Sequence, residues 1–136
     1  MATRVLDLER SRAEINDNNA RFCAALGERD MDRLMEFYDP EVCLLIPGAP
    51  PIRGRDGVRT YYEQVFAAGV SAAEMRTLQL EHGGDRLVEL GEYTMVLEPP
   101  GADRIEDVGK YMVVHRRQDG GGWAIWLDMF HSDRSA

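Results

Sequence analysis

A chain of 136 residues, 44% hydrophobic and 29% charged, has the make-up of an ordinary folded domain, which argues against intrinsic disorder. Its net charge of −8 argues against a nucleic-acid partner, because phosphate binding needs clustered Lys and Arg. The two basic clusters, Arg53/Arg55/Arg59 and His115-Arg116-Arg117, read as solvated faces. The two cysteines, Cys23 and Cys43, form neither a CxxC pair nor a disulfide framework, so both are expected as reduced core thiols. The segment from Met1 to Arg10 is charged and lacks the apolar core of a signal peptide, and no apolar run approaches the ~20 residues that cross a bilayer. A cytoplasmic protein without a membrane partner is the expectation, with residues 1–136 as one domain.

Helical periodicity opens the chain. Leu8, Ile15, Phe22, Cys23 and Leu26 recur at spacings of three, four and seven from about Asp7 to Gly27, and Asn19 lies on the same stripe. Asp30 reads as the N-cap of a short second helix, Met31 to Tyr38, stopped by Asp39-Pro40. Val42 to Ile46 is a short apolar strand, and the breaker-rich stretch Pro47 to Arg55 a loop. A third helix runs from near Asp56 to Gly69, with Val58, Tyr61, Tyr62, Val65 and Phe66 on its apolar stripe.

After Gly69 the period drops to two. Strands are expected at Ala72–His82, Arg86–Glu98, Ile105–Arg117 and Trp123–His131. Gly83-Gly84-Asp85, Pro99 to Ala102, and Gln118 to Gly122 supply the turns. The order α-α-β-α followed by four strands predicts an α+β domain: a cone-like curved antiparallel (mixed) sheet wrapped over three N-terminal helices.

Four stretches in this order resemble the nuclear-transport-factor-2-like superfamily, in particular its SnoaL-like and ketosteroid-isomerase-like members. They are Phe37 to Pro47, Arg53 to Val58, Gly109 to Val114, and Gly122 to Phe130, and the likeness spans roughly Asn16 to Asp133. The resemblance implies a cone with a hydrophobic pocket, and a homodimer packed through the convex face of the sheet. The three catalytic positions of ketosteroid isomerases fall near Phe22, Ile46 and Met112, all apolar, which disfavours that mechanism. Trp126-Leu127-Asp128-Met129-Phe130 is similar to the acid-bearing last strand of limonene-epoxide-hydrolase-type members. The Arg and Asp that complete that family's triad are not matched, since the stretch Glu89 to Glu92 offers Leu and Glu.

Alternation then sorts the strands into faces. Matching the family's acid puts Ala124, Trp126, Asp128 and Phe130 inside, with Lys110, Met112 and Val114 inside on the preceding strand and His115 and His131 outside. The opposite face of the last strand is apolar too, which suits coverage by a second copy. A buried Lys110 needs a carboxylate, either Asp128 or Glu89. Strand Arg86–Glu98 allows two registers. The one with Leu87, Glu89, Gly91, Tyr93 and Met95 inside is preferred over the one with Leu90, Glu92 and Thr94 inside.

The expected catalytic set is Asp128, Lys110, Glu89 and Tyr93. Asn19, Tyr38, Tyr61 or Tyr62, Met112, Trp126 and Phe130 line the substrate pocket. Asp128 or Glu89 would move a proton on, or direct water to, a small apolar molecule, with Lys110 and Tyr93 as electrostatic partners. A Lys–carboxylate pair reads as readily as a satisfied strut, the tyrosines as core, and Asn19 as a tie to strand backbone. His82, His115 and His131 lack metal-ligand spacing, and no dinucleotide fingerprint occurs, so neither metal nor cofactor is expected. A non-catalytic binding or assembly module of the same fold is the competing expectation.

Overall fold

The computed structural model describes residues 2–134, with side chains from Leu8 onward; the outermost ends of the expected 1–136 domain lie outside the described residues. Three helices, α1 (Ala2–Glu28), α2 (Met31–Met35) and α3 (Gly54–Ala67), precede or interleave with six strands. The strands are β1 (Tyr38–Leu45), β2 (Ile52–Arg53), β3 (Val70–Gly83), β4 (Arg86–Leu97), β5 (Ile105–Arg117) and β6 (Trp123–Ser132). They make one open curved sheet in the order β2-β1-β6-β5-β4-β3. Only the β1–β6 pairing is parallel, so the sheet is mixed, and the α+β cone expected from the sequence is the fold observed.

The striped face of α1 lies on the concave side of the sheet, where Ile15, Asn19, Phe22, Ala25 and Leu26 are all buried. Asp30 caps α2 by accepting from the Arg33 backbone N–H at 3.2 Å. That helix stops at Met35, and Tyr38 opens β1 instead of closing the helix as its spacing suggested. Pro40 disfavours helical backbone at Asp39, and an aromatic residue next to it is better placed on a sheet. Within the stretch expected to be a loop, Ile52 and Arg53 pair briefly with β1.

The main core joins Phe22, Leu34, Tyr38, Val42, Leu44 and Val58 to Tyr111, Val113 and Ile125. A second, smaller cluster joins Ile15 of α1 to Leu80, Leu87 and Trp123 of the sheet. Each such side chain contributes about 1.5–3 kcal/mol by leaving water.

Two features of the sheet decide which side chains look inward. The first is a pair of glycine–tyrosine contacts between β4 and β5, where Gly91 pairs with Tyr111 and Tyr93 with Gly109. A Cβ at Gly91 would collide with the Tyr111 ring, and one at Gly109 with the Tyr93 ring. Each tyrosine therefore lies across the glycine opposite it, on the concave face. This puts Glu89 and Tyr93 of β4 inside, as preferred, but turns β5 over from its expected orientation: Tyr111, Val113 and His115 face the core, while Lys110, Met112 and Val114 face out.

The second feature is a β-bulge in β6. Val114 pairs with Leu127 but His115 with Ile125, which leaves Trp126 as an extra residue. A bulge shifts the two-residue period by one. Trp123 and Ile125 before it, and Asp128 and Phe130 after it, consequently share the inner face. Trp126 is turned outward, against the guanidiniums of Arg86 (4.6 Å) and Arg116 (5.9 Å).

Candidate functional site

The register aligns Glu89, Val113 and Asp128 on one rung across β4, β5 and β6. Directly opposed residues lie about 5 Å apart, so the two acidic backbones are about 10 Å apart with Val113 between them. Both side chains are buried, Glu89 completely. Their surroundings differ sharply.

Glu89 is saturated with donors. Its Oε2 accepts from Asn19 Nδ2 (2.9 Å), Thr77 Oγ1 (2.7 Å) and the Tyr111 hydroxyl (2.5 Å), and its Oε1 meets His115 Nε2 at 2.9 Å. Burial pushes the carboxyl up, but the bonds from His115, Tyr111 and Thr77 outweigh it and hold the group below its ordinary value. Glu89 is thus an ionised anchor joining α1, β3, β4 and β5.

Among the described residues Asp128 has a single side-chain donor, the Tyr38 hydroxyl at 3.2 Å. The Tyr38 and Tyr62 hydroxyls are 2.8 Å apart. Because Tyr38 spends its proton on the carboxylate, Tyr62 must donate to Tyr38, and a directed chain Tyr62–Tyr38–Asp128 results. Burial raises the Asp128 carboxyl from 3.8 to about 7; the Tyr38 bond opposes the rise and the negative Glu89 adds to it. Burial also raises the Tyr38 and Tyr62 hydroxyls well above their ordinary value, with Asp128 adding to the rise, so both keep their protons near neutrality.

Asp128 borders a cavity of about 70 Å³ whose other walls are almost entirely apolar, among them Phe22, Tyr61, Met75, Tyr93 and Phe130. The Phe130 ring packs against Tyr61 and Tyr93 with centroids 6.1 and 5.9 Å apart. Burial, reinforced by Asp128 and Asp107, pushes the Tyr61 hydroxyl up to about 12. Tyr93 donates to Asp107 at 3.1 Å, and Ser132 Oγ donates to the same carboxylate at 2.6 Å, which fixes the ring at the cavity's edge.

Of the residues expected at the site, Asp128, Tyr61, Tyr62, Tyr93 and Phe130 line this cavity, and Tyr38 reaches it through Asp128. Asn19 serves Glu89, a side chain and not strand backbone. Lys110 is a correction. It stands 63% exposed on the outer face, with Nζ 2.7 Å from Asp133, and meets neither Asp128 nor Glu89. An ammonium keeps its hydration there, whereas the inner face would have stripped it. Met112 and Trp126 also leave the cavity for the outer face, by the register and the bulge just described. His115, expected outside, is buried against Glu89, and Tyr111 and Thr77 join it; none of the three was foreseen. The two Gly-x-Tyr tripeptides, Gly91-Glu92-Tyr93 and Gly109-Lys110-Tyr111, were the available signal, since antiparallel pairing sets each glycine opposite the other strand's tyrosine. Among the described residues no group of three or more His, Cys, Asp or Glu side chains could hold a metal ion. No described helix is long and apolar enough to cross a membrane.

Comparison with known proteins agrees with this architecture. The SnoaL-like domain family matches residues 19–126, most of the chain. The chain belongs to the SnoaL-like family. No curated protein matches in sequence. Solved structures similar to this SnoaL-like protein include a ketosteroid isomerase-like protein from Erwinia carotovora atroseptica, with a TM-score of 0.78 and 14% identity over 95% of this chain and 98% of that one. A nuclear transport factor 2 superfamily protein from Salmonella enterica has a TM-score of 0.79 at 13% identity, covering 94% of each chain. A hexachlorocyclohexane dehydrochlorinase from Novosphingobium barchaimii has a TM-score of 0.75 at 18% identity, over 95% of this chain and 90% of that one. At these identities the likeness is one of fold.

Proposed function

We propose that this SnoaL-like domain is a cofactor-independent enzyme that carries out acid–base chemistry of the isomerase, cyclase or hydrolase type on a small, mostly apolar metabolite. The observation that carries the reading is the contrast between two buried carboxyls on one rung. Glu89, held by four side chains, stays ionised, while Asp128, held by one, titrates near 7 at the wall of an apolar cavity. Pairs of acids driven apart by their environments are how a fold obtains a working base at neutral pH.

In this reading Asp128 takes a proton from carbon, or from water, beside the apolar substrate. The Tyr62–Tyr38 chain orients the carboxylate and steadies its charge. Glu89 is a positioning group, because it is sealed from the cavity and its bonds are spent on the scaffold. Tyr61, Tyr93 and Phe130 would seat the substrate. Lys110 has no part.

The test is C–H exchange. Small apolar ketones and esters are incubated with the protein in deuterium oxide and followed by proton NMR. Exchange that rises with pH through about 7 and disappears in Asp128→Asn is the expected result. Exchange that survives Asp128→Asn unchanged removes Asp128 as the base.

A second role, assembly, is supported by the outer face of the sheet. There Leu45, Leu90, Met112 and Met129 line an apolar groove, with Leu78 52% and Met129 41% exposed. Such a face suits a homodimer packed sheet to sheet. Light scattering should give twice the chain mass for the native protein and a single chain mass for Met129→Lys.

A further inference from the structure

Four tyrosines, Tyr61, Tyr62, Tyr93 and Tyr111, line the cavity with Asp128. Three have committed their protons: Tyr62 to Tyr38, Tyr93 to Asp107 and Tyr111 to Glu89. The Tyr61 hydroxyl makes no hydrogen bond among the described residues, although its ring is held against Tyr62 and Phe130, with centroids 5.1 and 6.1 Å away. It is a positioned donor without an acceptor. Asp128 supplies the counterpart. Its Oδ2 takes the Tyr38 proton, while its Oδ1 accepts nothing among the described residues. Neither Asp128 Oδ1 nor the Tyr61 oxygen is sealed inside the protein.

We propose that Tyr61 sets the substrate specificity of this site: its hydroxyl holds the oxygen of a neutral carbonyl compound, and Asp128 faces the carbon next to that carbonyl. This rests on the reading of Asp128 as the working base.

The polar inventory of the cavity selects the class. By alternation against Met75 and Tyr93, Glu74 and Thr94 turn their side chains to the convex face, and Cys23 offers only a thiol, a weak donor. A ligand that fills the apolar walls thus meets one free hydroxyl donor and one free carboxylate oxygen. The Tyr61 proton stays in place near neutrality, since burial with the charges of Asp128 and Asp107 pushes the hydroxyl up to about 12. A hydrocarbon or an alkyl chloride leaves that donor unpaired, and a carboxylate is repelled by Asp128 and by the ionised Glu89. A ketone or an ester pairs it. The same carbonyl acidifies the adjacent C–H, so one functional group serves both residues. When Asp128 takes that proton, the C–H electron pair becomes the C=C bond of an enolate. The carbonyl π pair moves onto the oxygen to which Tyr61 donates, and return of the proton from Asp128 to carbon closes the cycle.

Cyclopentanone and chlorocyclopentane have nearly the same shape and differ in acceptor strength. Titrations followed by backbone NMR should give cyclopentanone the lower dissociation constant, and the carbonyl stretch of the isotope-labelled ketone should move to lower wavenumber on binding. Tyr61→Phe should weaken cyclopentanone about three- to tenfold, the size of one neutral hydrogen bond, and leave chlorocyclopentane unchanged. It should also return the stretch toward its value in an apolar solvent. The variant should melt with the native protein, because the oxygen it removes has no partner; a clearly lower melting temperature would give the hydroxyl a structural role and refute the assignment. Asp128→Asn should abolish exchange at the α-carbon of cyclopentanone yet keep the ketone preference and the shifted stretch. Exchange lost in Asp128→Asn, with affinity and stretch unmoved by Tyr61→Phe, overturns the Tyr61 assignment alone. Exchange kept in Asp128→Asn, with both moved by Tyr61→Phe, overturns the catalytic reading alone. Equal affinities for the two probes, or no binding by either, refute the carbonyl class.

Discussion

Replacing Asp128 with Asn tests the electrostatics of the cavity without any substrate. The folded protein keeps the Asp128 proton up to about pH 7, whereas the unfolded chain releases it at the ordinary 3.8. Between those values the folded state binds one more proton than the unfolded state, so raising the pH favours unfolding. The rise of roughly three units, at about 1.4 kcal/mol each, amounts to about 4 kcal/mol of stability lost from about pH 4 to about pH 7, with a plateau above. Asparagine has nearly the same shape and still offers an oxygen to the Tyr38 hydroxyl, but it cannot ionise.

Urea unfolding of the native protein and of Asp128→Asn, followed by tryptophan fluorescence, should therefore diverge with pH. The two should be similar near pH 4, and the variant should gain about 4 kcal/mol on the native protein by about pH 8. Comparing the two cancels the titrating groups that do not interact with Asp128. A difference that stays flat within about 1 kcal/mol over that range would mean that Asp128 ionises as if in water, and the enzyme reading would lose its base.

Glu89→Ala should cost about 3–5 kcal/mol, because it strands His115, Tyr111, Thr77 and Asn19 in the core; thermal melts would measure it. Glu89 titrates below its ordinary 4.5, so its contribution is present above that value and is lost as the pH falls through the folded one; the penalty of the substitution should shrink in acid. Gly91→Ala puts a methyl into the Tyr111 ring, and should destabilise by about 1–3 kcal/mol and change the near-ultraviolet tyrosine signal. Lys110→Met removes only an exposed pair with Asp133, and should alter stability by no more than about 1 kcal/mol and leave exchange activity intact.

Much of the architecture was legible in the chain. Periodicities of 3.6 and 2 locate three helices and the four long strands, and breakers at Pro47 to Arg55, Gly83 to Asp85 and Gln118 to Gly122 separate them. The acid in Trp126-Leu127-Asp128-Met129-Phe130, the stripe carrying Asn19 and the alternation that puts Glu89 inside are all local patterns, and local patterns survive folding. The pairing of side chains across strands is a different matter. Both faces of β5 and of β6 are apolar, so hydrophobicity alone could not tell Tyr111 from Met112, or Ile125 from Trp126, as the inward residue.

That choice came from contacts between residues far apart in the chain. Gly91 makes room for Tyr111 and Gly109 for Tyr93, and one extra residue at Trp126 returns Asp128 to the concave side. With those contacts made, Lys110 is carried out to water and His115 is drawn in to Glu89. The chain's own pattern specified a cone with an acid on its last strand. Which partners surround that acid, and hence its affinity for a proton, was settled by the register of the sheet, because a shift of one residue exchanges everything inside for everything outside.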